Sequence, residues 1–134
     1  KSDLRVVAWG IGIDGRIGDG TYRDSYRPRC TLVKGSVLQI SAGDFHSLAL
    51  RKDGSVVAWG SNAHGQLGDA SFNYSAVPRD VIGLDCSIVQ VAGGGAHSLA
   101  LSREGCVFSW GANTSGQVGQ TIFEDEDEDE DEDE

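Results

Sequence analysis

Apolar residues in this chain fall in short bursts closed by glycine or by small polar turns, without the three-to-four spacing of an amphipathic helix. Val37 to Ala42 reads as one short strand and His46 to Leu50 as a second. The turn Arg51-Lys52-Asp53-Gly54 carries the Asp-Gly pair that favours a tight hairpin, and Val56 to Trp59 follows as the antiparallel partner. Ser102-Arg103-Glu104-Gly105 is the matching turn further on, and glycine at the end of both suits a position with positive φ. The bursts are nearly continuous in apolar or small residues, which predicts strands covered on both faces, as in stacked sheets.

The bursts repeat in register. Leu4-Arg5-Val6-Val7-Ala8-Trp9-Gly10 returns as Gly54-Ser55-Val56-Val57-Ala58-Trp59-Gly60 and as Gly105-Cys106-Val107-Phe108-Ser109-Trp110-Gly111, with Trp-to-Trp spacings of 50 and 51. A glycine pair follows each time, at Gly15/Gly18, Gly65/Gly68 and Gly116/Gly119, and Pro28 and Pro78 stand 50 apart. Gln39-Ile40-Ser41-Ala42-Gly43-Asp44-Phe45-His46-Ser47-Leu48-Ala49-Leu50 matches Gln90 to Leu101 position for position, offset by 51. Tandem β-rich units of this length are the kind that build the blades of a β-propeller. The units run over about 4–54, 55–105 and a partial 106–123, so residues 1–123 form the repeat region and 124–134 an acidic tail.

Composition sharpens this in two ways. Nineteen glycines with no Gly-X-Y period mean many tight turns, and helix-forming runs are missing, so the fold class is all-β. The formal charge of −10 is misleading: Glu124 to Glu134 are eleven consecutive Glu and Asp residues, and the rest of the chain carries ten acidic residues against eleven basic ones. The body is near neutral. The tail is expected to be disordered and extended by self-repulsion.

Candidate chemistry is sparse. Three cysteines, Cys30, Cys86 and Cys106, have neither paired number nor metal spacing, which suits reduced thiols in a cytoplasmic or nuclear protein. The sequons at Asn73 and Asn113 keep a secreted location open. No apolar run approaches the ~18 residues of a membrane span. His46 and His97 occupy equivalent positions, but no Ser, Asp or Cys recurs beside them as a triad or ligand set; each is expected to be buried and hydrogen-bonded to backbone. His64 lies in an exposed turn. Trp9, Trp59 and Trp110 are expected to pack in the core. The glycine pairs fit turns and no phosphate-binding motif, and no cofactor or metal is expected.

The repeats diverge most at Thr21-Tyr22-Arg23-Asp24-Ser25-Tyr26-Arg27-Pro28-Arg29, whose counterpart from Ser71 to Arg79 has one Arg against three. Read as a loop, this segment places Tyr22, Arg23, Tyr26, Arg27 and Arg29, with Arg16 added, as the candidate interaction patch for phosphates or an acidic protein surface, and nucleic acid could bind only here. Glu124, Asp125, Glu126, Asp127 and Glu128 open the tail, a candidate contact for basic partners such as histones, or a mask for a basic patch of the same chain.

The pattern V-V-A-W-G, G-Q-L-G-D, P, Q-I-S-A-G-D-F-H-S-L-A-L-x-x-D-G, running through residues 4–120, resembles the regulator of chromosome condensation repeat family. The resemblance implies four-stranded blades of a seven-bladed β-propeller, with one repeat's strands shared between adjacent blades, and here about two to three blades. A ring of seven would need ~350 residues, so these repeats are expected to belong to a longer propeller, with the ring completed by further repeats or by other chains; the start at Lys1 fits that. With no catalytic constellation in the sequence, the leading reading is a non-catalytic protein-interaction scaffold whose variable loops and tail carry specificity. The resemblance implies two alternatives, an exchange factor for a Ran-like small GTPase associated with chromatin and a secreted inhibitor-type propeller. The family also contains a plant ultraviolet-B photoreceptor, whose sensing tryptophans lie in a sequence context missing here.

Overall fold

The computed structural model describes residues 5–84 and 87–113. Among these residues nine strands follow in order: β1 Val7–Gly10, β2 Ser25–Cys30, β3 Val37–Ala42, β4 His46–Arg51, β5 Val56–Gly60, β6 Ser75–Asp80, β7 Ile88–Gly93, β8 His97–Ser102 and β9 Val107–Gly111. They form three antiparallel sheets in sequence order: β1-β2 (blade A), β3-β4-β5-β6 (blade B) and β7-β8-β9 (blade C). The four-stranded sheet thus takes its first two strands from one sequence repeat and its last two from the next, because a periodic sequence does not mark where a sheet starts.

Burial on both faces holds where both neighbours exist. β5 is buried along its whole length. Its side chains alternate across the sheet. Val57 and Trp59, with Ala49 of β4, pack with Val6 of blade A. Val56 and Ala58, with Leu48 and Leu50, pack with Ile88, Val91 and Ala100 of blade C. A run apolar at every position is what a strand between two cores requires.

The hairpin turns behave as expected: Gly54 has φ +87° and Gly105 φ +94°, and each closes a hydrogen bond to the carbonyl of Arg51 or Ser102. The glycine pairs do more than turn. In the turn Gly15–Gly18 the second glycine, at φ +78°, lies under the indole of Trp59, where an added Cβ would come within 2.5 Å of Nε1. Trp59 Nε1–H donates to Arg16 O at 2.9 Å. Gly68 holds Trp110 in the same way, with Trp110 Nε1–H donating to Gln66 O at 2.9 Å. Blades B and C are therefore each keyed to the glycine turn of the blade before them.

Two expectations are corrected. Trp9 is not core: it is 61% exposed, because no glycine turn faces it among the described residues, and with Val6, Val7, Leu38 and Ile40 it lines an open cleft of about 440 Å³. The segment at 21–29 is not simply a loop, since its second half is β2, the outermost strand of blade A. The Arg/Tyr-rich sequence hid it, because an outer strand with every residue after Ser25 exposed shows no apolar alternation.

Candidate interaction surface

β2 pairs with β1 through Gly10↔Ser25 and Ala8↔Arg29, so Tyr26, Arg27 and Pro28 all face the single residue Trp9. This is a bulge on an edge strand, which turns side chains outward and blunts the edge. β6 repeats it with Gly60↔Ser75 and Ala58↔Arg79, placing Ala76, Val77 and Pro78 opposite Trp59. The same hydroxyl stabilises both bulges: Ser25 Oγ donates to Arg27 O at 2.7 Å, and Ser75 Oγ donates to Val77 O at 2.6 Å. One backbone thus carries Tyr-Arg in one blade and Ala-Val in the next.

The predicted patch divides in two. Tyr22, Arg23, Tyr26 and Arg27 are exposed, and neither Arg23 nor Arg27 has an ion-pair partner among the described residues. Arg16 and Arg29 depart from the expectation of free cations. Arg16 forks onto Asp14 through Nε and Nη2, both at 2.8 Å, donates from Nη1 to Asp44 O at 2.9 Å, and lies 5.0 Å over the Phe45 ring. It ties blade A to blade B. Arg29 pairs with Asp19 at 3.6 Å, and Arg79 pairs with Asp69 at 3.4 Å in the same place one repeat on. Burial pushes the Asp19 carboxyl up, but the hydroxyl and backbone N–H of Thr21, with Arg29, outweigh it and hold the pKa below the ordinary carboxylate value. Asp69 is held down likewise against its burial by Ser71, Asn62 and Arg79. These ties were readable as Asp19/Asp69, Thr21/Ser71 and Arg29/Arg79, each 50 apart. Glu124, Asp125, Glu126, Asp127 and Glu128 lie outside the described residues.

His46 is buried as expected, but its partner is a side chain. Its Nε2 is 2.9 Å from Ser98 Oγ of blade C. Since Ser98 Oγ donates to Gln66 O at 2.9 Å, His46 is the donor through Nε2–H. A serine does stand beside this histidine, then, brought in by the neighbouring blade and not by its own strand. It makes a structural clamp, with the hydroxyl committed to a carbonyl. Nδ1 of both His46 and His97 is buried without a partner among the described residues. Burial, followed by the charge of His97, pushes the His46 pKa from 6.5 to about 4. His64 is exposed, Cys30 and Cys106 are free and exposed, and among the described residues no group of His, Cys, Asp or Glu side chains could hold a metal ion. No helix among them is long and apolar enough to cross a membrane.

Stacked antiparallel sheets keyed tryptophan-to-turn, with a variable bulge on the outer strand, define a segment of β-propeller repeats. The chain belongs to the Regulator of chromosome condensation (RCC1) repeat family, which matches residues 5–50 and 53–101, with a second description of the repeat matching 37–66 and 88–117. It is 46% identical over 119 residues to Probable E3 ubiquitin-protein ligase HERC6 of Homo sapiens, covering 85% of this chain and 12% of that protein. It is 34% identical over 122 residues to the Ultraviolet-B receptor UVR8 of Arabidopsis thaliana, covering 89% of this chain and 28% of the receptor. Among solved structures it resembles human WBSCR16 at a TM-score of 0.75 and 30% identity, over 84% of this chain and 30% of that one. Yeast RCC1 (Prp20) bound to Kap60 gives a TM-score of 0.77 at 24% identity, over 90% and 31% of the two chains, a likeness of fold alone. The chain thus spans a small part of each relative, and its resemblance to the ligase lies within these repeats.

Proposed function

We propose that this chain is a non-catalytic propeller segment of a longer protein, serving as a protein-interaction scaffold whose partner contact is the β2 bulge. One observation carries the reading: β2 and β6 share a register and a serine-stabilised bulge, yet β2 presents Arg27 where β6 has Val77, and Tyr22 and Arg23 precede it where the next repeat has Phe72 and Asn73. A constant scaffold with divergent surface residues is how repeat proteins carry specificity. The exposed free thiols of Cys30 and Cys106 support a reducing compartment, cytoplasm or nucleus.

The test is to give β2 the surface of β6: Tyr22→Phe, Arg23→Asn, Tyr26→Ala and Arg27→Val together. Quantitative affinity purification should lose a defined set of interactors while the melting temperature stays within a few degrees. An unchanged interactor set would sink the reading. The exchange-factor alternative rests on family membership only; acceleration of nucleotide release from a Ran-type GTPase by the intact protein would replace the scaffold reading with it.

A further inference from the structure

Blade B shows what surrounds each position of the bulge when a preceding blade is in place. Ala76, the counterpart of Tyr26, is buried there: an added Cβ on Gly15 of blade A would meet Ala76 N and Cα at 2.8 Å, and Gly20 N donates to Ala76 O at 2.9 Å. The full exposure of Tyr26 therefore belongs to the end of the stack and says nothing about partners. Phe72, Asn73 and Val77 are the counterparts of Tyr22, Arg23 and Arg27, and all three stay exposed beside a preceding blade. Tyr22, Arg23 and Arg27 are thus outward-facing in any stack of these repeats.

Arg23 and Arg27 differ from the other arginines of the two bulge regions. Arg16, Arg29 and Arg79 each hold a carboxylate, and Asp24, the acidic residue between Arg23 and the strand, accepts a hydrogen bond from Gly12 N at 2.8 Å. The guanidiniums of Arg23 and Arg27 are left with no acidic partner among the described residues, on a backbone that needs no cation there, since Asn73 and Val77 serve equally. Planar guanidinium beside exposed tyrosine is chemistry for carboxylates. The same chain carries eleven consecutive carboxylates at 124–134 against a body of nearly balanced charge. Ten residues, 114–123, stand in the sequence between the last described residue and that run.

We propose that Tyr22 and Arg23, just before β2, and Arg27 on its bulge form a docking surface for an acidic peptide segment, and that the acidic run 124–134 of this chain is its occupant, so that partners reach the surface by displacing the tail. The proposal rests on the reading of the bulge as the contact surface.

The experiment titrates a fluorescent peptide of sequence EDEDEDEDEDE onto the full chain in four forms, followed by anisotropy at low and at physiological ionic strength. They are the unaltered chain, one with residues 124–134 changed to Gln and Asn, that neutral-tail chain with Arg23→Gln and Arg27→Gln, and the neutral-tail chain with Lys52→Gln and Arg103→Gln on the hairpin turns. The neutral-tail chain should bind, more weakly as salt rises. The unaltered chain should bind about tenfold more weakly, because its own tail, covalently attached, competes for the surface. Arg23→Gln/Arg27→Gln should abolish binding, and Lys52→Gln/Arg103→Gln should leave it intact, with matching melting temperatures as the folding control. Equal affinity for the unaltered and neutral-tail chains would overturn the tail as occupant, as would no binding at low salt. Equal loss at the hairpin turns would overturn the surface. If the surface exchange described above removes interactors while the peptide binds nowhere, the scaffold reading stands and the tail inference alone falls.

Discussion

Lowering the pH should weaken the joint between blades B and C through one residue. His46 is 1% exposed, and its imidazole donates through Nε2 to Ser98 of the next blade. Burial, reinforced by the charge of His97, pushes its pKa from 6.5 to about 4, with the His97 backbone, Asp44 and Asp14 pulling only partly the other way. The unfolded chain takes up a proton near 6.5 and the folded chain only near 4. The stabilisation is therefore fully present above pH 6.5 and is lost as the pH falls from 6.5 through about 4. A shift of that size corresponds to roughly 3 kcal/mol, a large share of the ~5–15 kcal/mol that holds a domain folded. Urea unfolding between about pH 7.5 and about pH 4, comparing the unaltered chain with His46→Gln, isolates the effect because the carboxylates titrate in both. His46→Gln should flatten the pH dependence by about that amount. The Cε1 proton of His46 followed by NMR reads the pKa directly; titration near 6.5 in the folded protein, or equal pH slopes in the two chains, would refute the reasoning.

Other expectations follow from packing. Ser98→Ala leaves the buried Nε2–H of His46 without an acceptor and should cost about 1–3 kcal/mol in urea unfolding. Leu48→Ala, at a fully buried position between blades B and C, should cost about 2–5 kcal/mol by the same measurement. Gly68→Ala, where a Cβ would stand 2.7 Å from Trp110 Nε1 at φ +67°, should expel that indole and shift its emission to the red. Trp59→Phe should destabilise by about 1–3 kcal/mol through the lost bond to Arg16 O and the lost volume, whereas Trp9→Phe should be near neutral; iodide should quench Trp9 and spare Trp59.

How much of this was legible in the sequence follows from where each interaction lies along the chain. The period, the strands at 37–42, 46–51 and 56–60 and their glycine turns are local features, because apolar runs and positive-φ glycines act within a few residues. Even the ties of Asp19 to Thr21 and Arg29 could be read, since the next repeat copies them. What the repetition could not reveal is anything set by a neighbouring blade. Trp9 and Trp59 have the same local sequence and opposite exposure, decided by whether a glycine turn stands before them. His46 and Ser98 are 52 residues apart, and only blade stacking brings their side chains within 2.9 Å. Tyr26 and Ala76 look like a simple divergence, yet one is open and the other is wedged against Gly15. The sequence by itself determined the blade, since a blade is made of local hairpins. The tertiary structure decided which tryptophans, histidines and arginines are structural, because that is a property of the interface between blades.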